Sequence, residues 1–152
     1  MGGKNDDINK NRLDTQRMQE MLKGDMFPQN WDDFLDDSIR VFFDELLNET
    51  GQKKSEIIRN ANLSRVYGYQ LMEGRRRGKR DYYLLIAIAM SLDLKTTQRM
   101  LAVAQYGALH PLIKRDAAII YAINHGYDNI KTYDFIFSLG LPPLDDGADN
   151  ES

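Results

Sequence analysis

Apolar residues recur three and four positions apart from about residue 31 to residue 139, which is the spacing of an amphipathic helix. The clearest case runs from about Asp33 to Glu49, and Gly51 follows it as a stop signal. The same spacing, with polar caps and glycine stops, predicts helices over about 54–61, 64–73, 81–92, 93–105, 114–124 and 128–139. The predicted fold class is therefore all-α.

Chain length and local composition predict a single domain with two polar ends. The chain has 152 residues and is 42% apolar, which is enough material for one buried core. Residues 1–30 are polar and are expected to be a flexible arm, with one periodic stretch (Leu13, Met18, Met21 and Leu22) that suits a short helix. Residues 31–140 form the predicted helical domain, and the acidic tail 141–152 is expected to be disordered.

Several classes of protein are disfavoured by composition. The chain has no cysteine, which excludes disulfide frameworks, thiolate zinc sites and cysteine nucleophiles and suits the cytoplasm. Its longest nearly apolar run, 82–90, is far shorter than the roughly 18–20 residues of a membrane span. His110 and His125 lie in breaks between helices without a metal-binding or general-base pattern. We therefore expect no enzyme activity, no metal and no cofactor.

Charge is segregated along the chain although the formal net charge is only −3. Residues 25–50 contain eight acids and one base, whereas residues 51–80 contain nine bases and two acids. The basic segment covers a short helix, a tight connection and a second short helix, a spacing typical of a helix-turn-helix that places its second helix in the major groove of DNA. A surface of this charge attracts a polyanion.

The segment from Lys53 to Gly74, with the apolar stretch 84–92, resembles the Cro and lambda-repressor-like (Xre) family of bacterial and phage DNA-binding regulators. The resemblance covers about residues 34–105 and implies a core of five helices, to which the last two predicted helices add an extension. The matching positions are Ile57, Ala61, Leu63, Ser64, Leu71, Gly74, Ala87 and Ala89.

Four positions depart from the family pattern. The family often has Gln where Lys54 stands, a small residue at Ile58, Gly at Asn62 and Ile or Val at Gly68. Asn tolerates the left-handed conformation that the turn requires. A glycine inside a helix costs about 1 kcal/mol relative to alanine and leaves a core position empty, which we expect Tyr67 or Tyr69 to fill.

The resemblance implies sequence-specific binding of double-stranded DNA by a transcriptional regulator, in most cases a repressor, with a recognition helix at about 64–73. Arg65 then pairs with guanine, Gln70 with adenine, and Val66 touches a thymine methyl group. The expected base-reading set is Ser64, Arg65, Val66, Tyr69 and Gln70. The expected phosphate-binding set is Lys54 with the basic run Arg75, Arg76, Arg77, Lys79 and Arg80. The alternative for both sets is an ordinary solvated surface.

A homodimer is expected because operators of such regulators are mostly symmetric. The last two predicted helices carry more apolar residues than one packing face requires, and we expect the dimer or another protein partner to bind there. These residues are Ile119, Ile120, Ile123, Tyr133, Phe135, Ile136 and Phe137. The alternative function is a protein-interaction module that retains the helix-turn-helix fold without DNA binding.

Overall fold

The computed structural model of the chain describes residues 15–27, 29 and 38–144, and within these ranges it contains helices and no strands. The all-α prediction is confirmed. The described ranges hold eight helices, numbered here in chain order: α1 (Thr15–Leu22), α2 (Ser38–Thr50), α3 (Lys54–Asn60), α4 (Arg65–Met72), α5 (Arg80–Ala89), α6 (Leu94–Val103), α7 (Lys114–Asn124) and α8 (Asn129–Ser138).

Most predicted helix bounds agree with the observed ones to within one or two residues. Helix α7 matches its prediction at both ends, and α1 contains the last three of the four periodic positions of the arm. Helix α5 was predicted to reach Leu92 but ends at Ala89, because Ser91 takes a left-handed conformation with φ of 56°. Much of the expected flexible arm (residues 1–14, 28 and 30), the start of the predicted helix 33–49 and the tail from residue 145 lie outside the described residues.

Helix α5 is the centre of the core. Its residues 82–88 are all buried, as expected for a helix that is apolar around its whole circumference. Helices α3, α6 and α8 pack against it, and α2 closes the core by packing on α4 and α6. The side-chain amide of Asn129 donates to the carbonyl oxygen of Leu85 at 3.0 Å, which fixes the start of α8 on α5.

Gly68 lies buried in α4 against the side chain of Ile58 in α3. A Cβ atom at position 68 would stand 2.6 Å from Cγ2 and 2.7 Å from Cγ1 of Ile58. The expectation that Tyr67 or Tyr69 fills the space was wrong, because Ile58 already occupies it. The large side chain of Ile58 and the absence of a side chain at position 68 therefore complement each other.

Two Arg-Asp dipeptides join the first turns of α5 and α7 reciprocally. The Arg80 guanidinium donates to both carboxylate oxygens of Asp116, at 3.0 and 3.1 Å, and the Arg115 guanidinium donates to both of Asp81, at 2.9 and 2.7 Å. Burial raises the pKa of Asp116, but the hydrogen bonds from Arg80 and from the backbone N–H of His110 outweigh it and lower the pKa below its usual value. Paired bidentate contacts of this kind fix α7 rigidly on the core.

The apolar residues of α7 and α8 separate into an inner and an outer group. Ile119 and Ile136 are fully buried, and Ile120, Ile123 and Phe135 pack partly buried against the core, so these five belong to the core of the chain itself. Tyr133 and Phe137 remain exposed. In the described part of the chain, no helix is long and apolar enough to cross a membrane.

Candidate nucleic-acid interface

Helices α3 and α4 are joined by a tight turn built from four residues, 61–64. Asn62 takes φ of 58°, in the left-handed region that asparagine tolerates better than most residues. Leu63 is buried, and the Ser64 hydroxyl accepts a hydrogen bond from the backbone N–H of Tyr67 at 3.3 Å, which caps α4. The turn therefore fixes the direction in which the first turn of α4 projects.

Helix α4 buries one side and presents the other. Tyr67, Gly68, Leu71 and Met72 face the core. Arg65 is exposed, as is Val66, with 70% of its surface accessible to solvent. An aliphatic side chain this exposed in the first turn of a helix has no packing role within the chain, so this turn is the accessible part of α4.

The other three predicted base-reading residues are less accessible. Tyr69 and Gln70 are half-buried, and the guanidinium carbon of Arg65 lies 5.9 Å from the centre of the Tyr69 ring. Ser64 is half-buried and its hydroxyl caps the helix. The structure thus brings all five together at the start and middle of α4, with Arg65 and Val66 outermost.

The basic loop, residues 75–79, returns directly onto the end of α4. The backbone N–H groups of Arg75 and Arg76 donate to the carbonyl oxygen of Gln70 at 2.9 and 3.3 Å. Gly78 is buried, and its backbone N–H donates to the Tyr83 hydroxyl at 3.2 Å while its carbonyl oxygen accepts from the Tyr106 hydroxyl. These contacts hold the loop on the core next to α4.

Three cations of the basic loop lie over aromatic rings. The distances from the charged group to the ring centre are 4.8 Å for Arg76 over Tyr67, 4.3 Å for Arg77 over Tyr106 and 5.7 Å for Lys79 over Tyr82. The Arg77 guanidinium also donates to the carbonyl oxygens of residues 104 and 105, at 3.3 and 3.1 Å. Contacts of this type reduce the freedom of a charged side chain while leaving its outer edge exposed.

Glu73, at the end of α4, lies between two of the predicted phosphate-binding cations. Its carboxylate pairs with the ammonium group of Lys54, at 3.6 Å, and with the guanidinium of Arg75. The hydrogen bond from Arg75 lowers the pKa of Glu73 below its usual value, so the carboxylate is ionised at neutral pH. The sequence analysis did not predict that Glu73 pairs with these cations, although Glu73 stands only two residues before Arg75 in the chain.

Arg80 is placed differently from the other predicted phosphate-binding residues. Its guanidinium donates to Asp116 and to the carbonyl oxygens of Gly107 and Ala108, both at 3.1 Å, so it faces α7 and the loop before it. The structure therefore does not bring Arg80 together with the exposed cations. Its partner Asp116 is 36 residues away in the chain, so no local sequence pattern predicts this contact.

No family model, curated protein or solved structure matches the chain in the comparisons with known proteins. In the described part of the chain, no group of three or more His, Asp or Glu side chains is arranged to hold a metal ion.

Proposed function

We propose that the chain is a sequence-specific DNA-binding transcriptional regulator that acts in the cytoplasm. Helices α2–α6 form a lambda-repressor-like core in this proposal, α3 and α4 are its helix-turn-helix, and α7 and α8 are the extension. The observation that carries the proposal is the exposed first turn of α4, with Arg65 and Val66 outermost, beside the exposed cations of the basic loop.

In the proposed complex the first turn of α4 enters the major groove. Arg65 forms two hydrogen bonds with O6 and N7 of guanine, Val66 contacts a thymine methyl group, and Gln70 pairs with adenine. Ser64 and Tyr69 flank these contacts. A correct bidentate pair is worth roughly 1–3 kcal/mol against the wrong base, so Arg65 and Gln70 contribute most to sequence discrimination.

The basic loop binds the phosphates that border the groove. Arg75, Arg76 and Lys79 are exposed beside α4, and Lys54 reaches the same side from the first turn of α3, next to Glu73. Arg77 adds its exposed edge. Arg80 is left out of this set because Asp116 engages it, and it acts as the residue that fixes the end of the loop.

The regulator is proposed to bind as a homodimer. Two copies of α4 then meet two half-sites about one helical turn of DNA apart, and the symmetry of the protein matches that of a palindromic operator.

Salt-dependent binding of a random-sequence duplex tests the proposal. Each phosphate neutralised by a cation contributes a slope of about −0.9 to a plot of log binding constant against log salt concentration. We expect micromolar or tighter binding at low salt in fluorescence anisotropy. Arg75→Ala with Arg76→Ala should weaken binding at least tenfold and reduce the steepness by roughly 2 per subunit. The control variant Lys95→Ala with Lys114→Ala removes two positive charges from α6 and α7. It should leave the duplex affinity and the salt slope nearly unchanged.

A second candidate is a protein-interaction module with the same fold and no affinity for DNA. The ion pairs of Glu73 favour it, because they neutralise part of the charge of Lys54 and Arg75. Absence of duplex binding at low salt, with the protein folded by circular dichroism, would select this candidate over the regulator.

A further inference from the structure

The outer face of α8 carries an exposed apolar row. Ile130, Tyr133 and Phe137 lie three and four residues apart on one side of the helix, with 76%, 42% and 66% of their surfaces exposed. The rings of Tyr133 and Phe137 are nearly parallel, at an angle of 6° with centres 6.4 Å apart. The three side chains thus form a continuous apolar ridge.

A groove of about 400 Å³ runs beside this ridge, between α8 and the turn that follows α3. Its floor is apolar and consists of Leu85 and Ile88 of α5 with Leu144. Arg59 and Asp134 line the same groove from α3 and α8, and both are exposed. Among the described residues, neither side chain has an ion-pair partner.

We propose that a second copy of this chain occupies the groove, related to the first by a two-fold axis. In a two-fold interface each contact occurs twice with the roles exchanged, so a surface must be complementary to itself. A ridge beside a groove satisfies this in shape, since the ridge of each subunit fills the groove of the other. One cation and one anion satisfy it in charge, with Arg59 facing the partner's Asp134 and Asp134 facing the partner's Arg59.

The charge arrangement favours a second copy over an unrelated partner. An acidic or a basic partner would pair with only one of the two groups and leave the other buried without a counter-ion, which is costly. The same chain supplies both counter-ions. The inference rests on the homodimer proposed above, and its test uses no DNA, so the failure of one is distinguishable from the failure of the other.

The mass of the full chain in solution, measured by sedimentation equilibrium, tests the proposal. Ile130→Glu with Phe137→Glu should convert a dimer into a folded monomer, because each change places a charge in the apolar contact. Leu112→Glu is the control, since Leu112 is 87% exposed and lies outside the ridge and the groove, and it should leave the dimer intact.

Charge exchange then tests the pairing itself. Arg59→Asp and Asp134→Arg should each raise the dimer dissociation constant at least tenfold, because each places like charges opposite one another. An equimolar mixture of these two variants should form dimers again, since every contact in the mixed dimer joins opposite charges. A monomeric wild-type chain at 100 µM, a dimer that survives the two glutamates, or a mixture that stays monomeric would each overturn the proposal.

Discussion

Replacement of Ile58 by alanine and of Gly68 by valine tests the packing of α3 on α4, which sets the angle of the proposed recognition helix. Ile58 is 2% exposed, so Ile58→Ala leaves a cavity and should cost about 2–5 kcal/mol of the free energy of unfolding. Gly68→Val places atoms where contacts would be 2.6–3.0 Å, and such overpacking costs about 1–3 kcal/mol.

The double variant should be more stable than the sum of the single changes. The valine then fills the space that the isoleucine vacated, and volume-conserving exchanges usually cost less than about 1.5 kcal/mol. The coupling energy should therefore exceed about 1.5 kcal/mol, whereas changes at independent sites add to within about 0.5 kcal/mol.

Urea unfolding followed by circular dichroism measures all four free energies. Gly107→Val is the matched control, because nothing lies within 4 Å of a Cβ atom at that position. When Gly107→Val is combined with Ile58→Ala, the two losses of free energy of unfolding should add. If the losses of free energy of unfolding in Ile58→Ala and Gly68→Val also add up to the loss in the double variant, the packing of Ile58 against Gly68 is refuted.

Two further predictions concern charge. Glu73→Gln removes the carboxylate that competes with DNA for Arg75, so duplex affinity measured by fluorescence anisotropy should rise about threefold to tenfold. The control Glu49→Gln should leave the affinity unchanged. Equal effects of the two changes would contradict a competition between Glu73 and DNA. Asp116→Asn leaves the partly buried Arg80 without its anion and should lower the free energy of unfolding, measured with urea at pH 7, by about 1–3 kcal/mol. Because the pKa of Asp116 is lowered in the folded chain, the stability that this pair contributes is fully present above the ordinary pKa of 3.8 and is lost as the pH falls below it. The difference in free energy of unfolding between wild type and Asp116→Asn should therefore shrink in acid. A difference that stays constant down to pH 2 would contradict this.

Local patterns predicted the helices well, because caps and stops act within a few residues. Ser64, Asp93 and Asp128 each accept the hydrogen bond expected of an N-cap. The end of α5 was predicted too late because Leu92 continues the apolar spacing and is itself buried. The helix ends earlier because the backbone at Ser91 takes a left-handed conformation.

Contacts between distant parts of the chain were beyond such patterns. Gly68 appeared as an empty core position because Ile58 lies in a different helix. Arg80 appeared as one more cation of a basic run, and its bidentate pairing with Asp116 depends on where the fold places the first turn of α7. For the rest of the site, composition and spacing placed the cations in one segment, but they did not predict that Glu73 pairs with both Lys54 and Arg75.

The most direct test of the central claim is an amide chemical-shift map of the full chain, recorded by NMR as duplex DNA is added at low salt. The account predicts that the largest changes fall on residues 64–70 and 75–79, while the amides of α8 between Ile130 and Phe137 change little. Changes confined to α7 and α8, or no changes at all with DNA in excess, would contradict the proposal that α4 and the basic loop bind DNA.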